Sequence, residues 1–221
     1  MMNLSPGQCE IIFSKRKSYA VEVRDGKVII RLPYYSGMRK AHELLQKHHN
    51  WIEQKILEQN IKKAENPPVK VESGKYFPLF DALYIIKEGI KPEFNNAFYI
   101  TPGGDAADKL RQLYRQTAKS ILGLKLAEKA KQCDIVYSGM KISNARTRWG
   151  SCSYKKSINL NWRLLLLPER LADYIIAHEL AHIREMNHSR AFYMELERIS
   201  PEWRRAEREL RQYSLNLDNW E

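Results

Sequence analysis

The stretch Leu171-Ala172-Asp173-Tyr174-Ile175-Ile176-Ala177-His178-Glu179-Leu180-Ala181-His182 decides the architecture of this chain. Pro168 suits the first turn of a helix, and the spacing predicts one running to about Glu185. Residues four apart lie on one helical face, so Leu171 and Ile175 lead along that face onto His178 and His182. Two imidazoles placed this way can reach one cation, and neutral imidazole suits Zn²⁺. Glu179 falls about 100° around the helix from His178. It can stand beside such an ion without ligating it, close enough to take a proton from metal-bound water. With 6 His in the chain, H-E-x-x-H arises by accident in roughly one chain in seventy of this composition. The motif alone therefore does not settle its role; its place in a predicted helix, the apolar stripe leading to it and a third histidine downstream add weight.

That third histidine, His188, needs a turn. On an unbroken helix it would lie about 240° from His182 and face away. Met186-Asn187 is the expected break, since Asn tolerates the left-handed backbone that ends helices. Ser189 then caps a following helix to about Ile199. Three imidazoles would converge and leave a fourth position open for water, the mark of a catalytic rather than a structural zinc site. Glu195 and Glu197 are the alternative third ligands. His42, His48 and His49 read as surface residues near a helix end. Cys152 reads as a packed strand cysteine. Asp173 is a candidate partner for a ligating ring, although a first-turn acid suited to the helix dipole is the other reading. Arg146, Arg148 and Tyr193 are the candidate donors to a developing oxyanion.

Upstream, the chain reads as β, then helix, then β. Glu10–Lys15, Ala20–Arg24 and Val28–Leu32 alternate as strands, with Asp25-Gly26 as a tight turn. Ala41, Leu44, Leu45, Trp51, Ile52 and Ile56 follow at helical spacing. Residues 62–70, with Pro67-Pro68, read as a linker. Short strands are expected at 75–79, 82–87 and 97–101. Pro102-Gly103-Gly104 marks the main boundary, giving an N-terminal β-rich portion with one helix over 1–104 and a second domain over 105–221. Asp105 should cap a long helix from Ala106 to about Lys131, with a stripe of Leu110, Leu113, Tyr114, Thr117, Ile121, Leu124 and Leu126. Strands are expected at 135–142 and 157–166, and a polar, Arg-rich tail ends the chain. The fold class is α+β.

The chain has 221 residues, with 37 Lys or Arg against 26 Asp or Glu, a net charge of +11. Residues 109–163 hold 13 cations and two acids, so this stretch carries the whole excess and the remainder nets to zero. Such a stretch can contact nucleic acid or nucleotides, or be a solvated helix face with its loops. A 43% hydrophobic content argues against disorder. No apolar run approaches the roughly 20 residues that span a bilayer. Residues 1–7 lack a secretory pattern, and three widely spaced cysteines exclude a disulfide framework, so a cytoplasmic setting is expected.

Several segments together resemble the YgjP-like metallopeptidase family, a group of bacterial zincins. They are Arg146-Thr147-Arg148-Trp149-Gly150-Ser151-Cys152, Ile158-Asn159-Leu160-Asn161-Trp162-Arg163, Asp173 to His182, and Asn187-His188-Ser189 with Phe192. Arg16-Lys17-Ser18 and the Asp25-Gly26 hairpin add a looser likeness, so the resemblance spans about residues 10 to 210. It implies a zincin-like core in the C-terminal portion, with the motif helix, a following helix, a small sheet and a long helix behind it. It implies that His178, His182 and His188 bind zinc and that Glu179 is the general base. Two relatives, the SprT-like proteins and the yeast-type crosslink-repair proteases, act on proteins attached to DNA. Metzincins share the interval to the third His but place Gly where this chain has Glu185. Tyr193 stands where the family often has Trp.

The favoured expectation is zinc-dependent hydrolysis of peptide bonds in a peptide or protein substrate, which could pair with a strand edge near residues 158–166. One alternative is a metal-dependent nucleotide or phosphoester hydrolase using the basic 109–163 stretch. Another is a nucleic-acid-associated protein with a structural zinc, which requires a fourth protein ligand.

Overall fold

The structure, a computed structural model, describes residues 9–24, 26–65 and 67–221, without the side chains of residues 62, 63 and 65. Asp25 of the expected hairpin turn, residue 66 of the expected linker, and residues 1–7, on which the reading of the N-terminus rests, lie outside the described residues. The fold class is α+β. Two compact units divide the chain, Met1–Pro68 and Val69–Glu221.

In the first unit, β1 (Glu10–Ser14), β2 (Ala20–Arg24) and β3 (Lys27–Pro33) form a sheet in the order β1-β3-β2. β3 runs parallel to β1 and antiparallel to β2. Val28, Ile30 and Leu32 alternate along β3 and are buried. They pack with Ala41, Leu44 and Leu45 of α1 (Met38–Lys47) and Ile52 and Ile56 of α2 (His49–Glu65). The expected single helix is thus two, interrupted at His48.

The second unit begins with β4 (Tyr76–Leu79), β5 (Ala82–Glu88), β6 (Glu93–Phe94) and β7 (Phe98–Ile100), in the order β4-β5-β7-β6. Phe77, Leu79, Ile86, Phe98 and Ile100 share one apolar core with Leu110, Leu113 and Tyr114 of α3 (Ala106–Gln132). This is why the compact units do not divide at residues 104/105. Gly103 and Gly104, both at positive φ, only turn the chain into α3. Asp105 caps that helix through a bond from the Asp108 N–H at 2.9 Å. The buried face of α3 uses Ala118, Leu122 and Ala130, while Leu124 points outward at 66% exposure. Leu124 keeps the 3.6-residue period of the expected stripe, but the buried face itself moves around the helix, stepping by four residues from Leu110 through Ala118 and Leu122 to Ala130.

Next come β8 (Gly139–Ser143), β9 (Gly150–Cys152) and β10 (Ser157–Asn161), a sheet in the order β8-β10-β9. Residues Trp162–Leu166, expected to prolong the strand, form a 3-10 turn capped by Asn161. Then follow α4 (Glu169–Arg184), α5 (Arg190–Ile199) and α6 (Trp203–Leu210). Lys125 of α3 pairs with Glu169 at 2.5 Å and Asp173 at 2.9 Å, fixing α4 against the long helix. The tail, expected only to be polar and Arg-rich, forms α6 and then packs back on the core. Its Trp220 packs against the rings of Phe77, Tyr114 and Trp162, and residues 69–71 pair with 219–221. Among the described residues, no helix is long and apolar enough to cross a membrane.

Candidate metal centre

α4 carries its two histidines on the face that continues from Leu171 and Ile175, both buried. The helix stops at Arg184, with Glu185 as its C-cap, where it was expected to end. Glu185 turns extended at φ −133°, and none of residues 185–188 takes the left-handed backbone foreseen for Asn187. Ser189 then caps α5, its hydroxyl accepting from the Phe192 N–H at 3.3 Å. The break brings His188 back. Ring nitrogens of His178, His182 and His188 all lie within 4.8 Å of one another, and Nε2 of His178 and His188 approach to 3.1 Å. Phe192, wholly buried, floors the group, with ring centroids 5.0, 4.5 and 4.7 Å from those of His178, His182 and His188.

Two observations show that these residues suit a metal ion. His182 Nδ1 lies 3.1 Å from the Glu185 carbonyl oxygen. A carbonyl only accepts, so Nδ1 bears the proton and Nε2 keeps its lone pair. His178 Nδ1 is buried without a partner, an orphan in a site otherwise tightly packed. Burial, aided by the neighbouring rings of His182 and His188, pushes the His178 pKa down to about 4, so its ring is neutral at pH 7. Burial lowers that of His182 as well. Neutral imidazole is the ligand form.

Glu179 is 5% exposed, and its Oε2 has no partner. Burial raises its carboxyl to about 8, against the opposing pull of the Arg148 charge. The carboxyl rests on the backbone of β9: a Cβ on Gly150 would fall 2.5 Å from Oε1, 2.8 Å from Cγ and 2.9 Å from Cδ. A cleft of about 420 Å³ opens beside it, lined by Trp149, Tyr174, Ile175, Leu210 and Tyr213 among others. Neither Gly150 as a cradle nor α6 as a wall of this cleft was foreseen.

Most of the other candidates are engaged by partners of their own, and Tyr193 stays beside the site with its ring 6.4 Å from that of His188. Glu195 binds Arg198 and Arg184, and Glu197 binds Arg204 and the Trp203 indole. Asp173 serves Lys125, not a histidine. Arg146 is engaged by Asp218, and Tyr193 stacks on Trp203 at 5.0 Å. Arg148 alone of the three oxyanion candidates puts its charge near Glu179. Cys152 sits part-buried on β9, its thiol pushed up to about 11 by burial and by Glu179. His42 bonds within α1, and His49 pairs with Glu53 in α2. β10 is paired on both sides, so the substrate edge expected near 158–166 is not available; the open edge beside Glu179 belongs to β9.

A helical H-E-x-x-H with a folded-back third histidine, on a small sheet, is the pattern of metal-dependent peptidases. The chain belongs to the YgjP-like metallopeptidase family, whose domain model matches residues 17–213. Among solved structures it is similar to the metallopeptidase zymogen abylysin of Pyrococcus abyssi, at 24% identity, over 41% of this chain and 93% of that one, with a TM-score of 0.37. It is likewise similar to the zymogen jannalysin of Methanocaldococcus jannaschii, at 28% identity, over 41% and 94% of the two chains, with a TM-score of 0.37. No curated protein matches it.

Proposed function

We propose that the chain is a zinc-dependent peptidase in which His178, His182 and His188 hold the ion and Glu179 is the general base. The observation that carries this reading is the convergence of three ring nitrogens within 4.8 Å beside a carboxyl whose second oxygen is free of partners. When bound, zinc supplies a Lewis acid for the scissile carbonyl and makes water acidic enough to ionise near neutral pH. With a cation held beside it, Glu179 favours its ionised form against its burial, and that carboxylate takes a proton from water at Oε2 and hands it to the leaving amine. The Glu185 carbonyl holds the His182 ring in its tautomer, and Phe192 keeps water from beneath the rings. An extended substrate adds to the open edge of β9, with one side chain in the cleft next to Glu179. Arg148 is the donor placed to meet negative charge developing on the carbonyl oxygen. The basic 109–163 stretch offers less to nucleic acid or nucleotides than its charge suggests. Arg111, Arg146 and Arg163 face Asp218, Lys125 faces two acids, and Lys109 donates to main-chain carbonyls. Among the described residues no fourth His, Cys, Asp or Glu joins the three histidines, which favours a catalytic over a structural site.

Metal analysis of wild type, Glu179→Gln and His188→Ala, run beside cleavage of an unfolded protein, tests this reading. Wild type should carry about one zinc per chain and cleave. Glu179→Gln should keep the metal and lose cleavage, and His188→Ala should lose the metal. Full zinc occupancy in His188→Ala, or undiminished cleavage in Glu179→Gln, would overturn it.

A further inference from the structure

The loop between β8 and β9, residues 144–149, delivers Gly150 to the Glu179 carboxyl, and several of its polar groups are tied to residues outside it. Asn161, wholly buried, donates from Nδ2 to the carbonyls of Ala145 at 2.7 Å and Arg148 at 3.1 Å. Its backbone N–H donates to the Trp149 carbonyl at 2.8 Å. The Asn144 side-chain oxygen accepts from Trp162 Nε1 and Arg163 Nη1, each at 3.0 Å. Arg163, also wholly buried, donates in turn to both oxygens of Asp218, at 2.6 and 2.9 Å. Arg146, within the loop, donates to the same carboxylate at 3.2 Å. Asp218 is itself anchored, because Arg111 donates to the Trp220 carbonyl at 2.6 Å and residues 69–71 pair with 219–221. One buried carboxylate thus grips the loop twice, once at Arg146 and once through Arg163 at Asn144. A bidentate, charge-assisted pair fixes geometry as well as adding attraction.

From this network we infer that Asp218 is a positioning residue for the peptidase reaction: through Arg146 and through Arg163 and Asn144 it holds residues 144–150 against Glu179. The inference rests on the reading of Glu179 as the base. Asp218 does not touch the reacting atoms; it sets where the base stands, and a small misplacement of a base costs rate out of proportion to stability.

Arg146 gives the clean test, since its side chain is 59% exposed and Asp218 keeps Arg163 when it is lost. Arg146→Met, Arg146→Lys and Asp218→Asn are compared with wild type in the full chain, by amide hydrogen exchange and by cleavage of fluorophore-labelled, denatured casein. In Arg146→Met, exchange should rise about tenfold or more at residues 145–151 and stay unchanged at residues 113–122 of α3. On casein, kcat should fall about tenfold or more while KM moves less than about twofold. Arg146→Lys should recover most of both effects, and Asp218→Asn, if it folds, should loosen the same loop. Wild-type exchange at 145–151 in Arg146→Met overturns the inference. So does a rise spread equally over α3, which marks lost stability alone, or an unchanged kcat. If the wild type cleaves no substrate, the proposed function falls while the exchange measurement still decides the positioning.

Discussion

Gly150 and Glu179 occupy adjoining space: the Glu179 Oε1 lies 2.5 Å from where a Gly150 side chain would begin. Even a methyl group there must push the carboxyl aside. Because a carboxyl ends a flexible side chain, the stability cost of Gly150→Ala should be modest, about 1–3 kcal/mol. Its effect on the reaction should be large. We expect wild-type metal content and a loss of cleavage of about a hundredfold, read by metal analysis and initial rates. Gly150→Ala with wild-type rates would show that the contact does not position Glu179 for the proposed reaction.

The three histidines reach one another only in the folded chain, because His188 returns by way of the break after Arg184. An ion held there binds the native state alone and must stabilise it. At a free zinc concentration about 100 times Kd the gain is about 2.7 kcal/mol, which raises the Tm of the Val69–Glu221 unit by about 5–10 °C. Scanning calorimetry with chelator and with zinc checks this. His188→Ala should show little of the shift, and an equal shift in that variant would place the ion elsewhere.

Asp218 also predicts an acid response. Burial alone would raise its carboxyl, but the hydrogen bond and charge of Arg163, with the charge of Arg146, outweigh it and leave the pKa below its ordinary value. A lowered folded-state pKa gives stability that is present above the unfolded-state value and is lost as pH falls through the folded one. At pH 7, Asp218→Asn strands the buried Arg163 and should cost about 3–5 kcal/mol in urea denaturation. The gap to wild type should be constant above about pH 5 and shrink as pH drops from about 4 to 2. A gap that persists undiminished at pH 2 would contradict this assignment.

Where local chemistry determines local structure, the sequence was readable. Asp105 and Ser189 cap as their side chains require, and the four-residue spacing of His178 and His182 puts them on one face. His188 needed only the inference that a helix must stop. The turn itself differs: Glu185 goes extended, and Asn187 stays out of the left-handed region. Other features depend on distant partners and left no local trace. β9 spans only Gly150–Cys152, too short for any alternation, and exists because β10 pairs with it. The Gly150 contact joins a strand to a helix about 30 residues away, visible beforehand only as part of a family-like segment. Asp218 and Trp220 looked like tail composition because their partners, Arg163, Tyr114 and Trp162, lie 55 or more residues upstream.

The doubly gripped carboxylate has a temporal side. Translation runs toward the C-terminus, so every histidine of the centre and Glu179 itself leave the ribosome before residue 218 does. Until that residue emerges, the loop beside Glu179 has the bonds from Asn161 and Trp162 but neither hold of the carboxylate. A nascent copy therefore has the three histidines and Glu179 in hand before the loop beside them is fully held, and reaches the native arrangement only after residues 218–220 have docked.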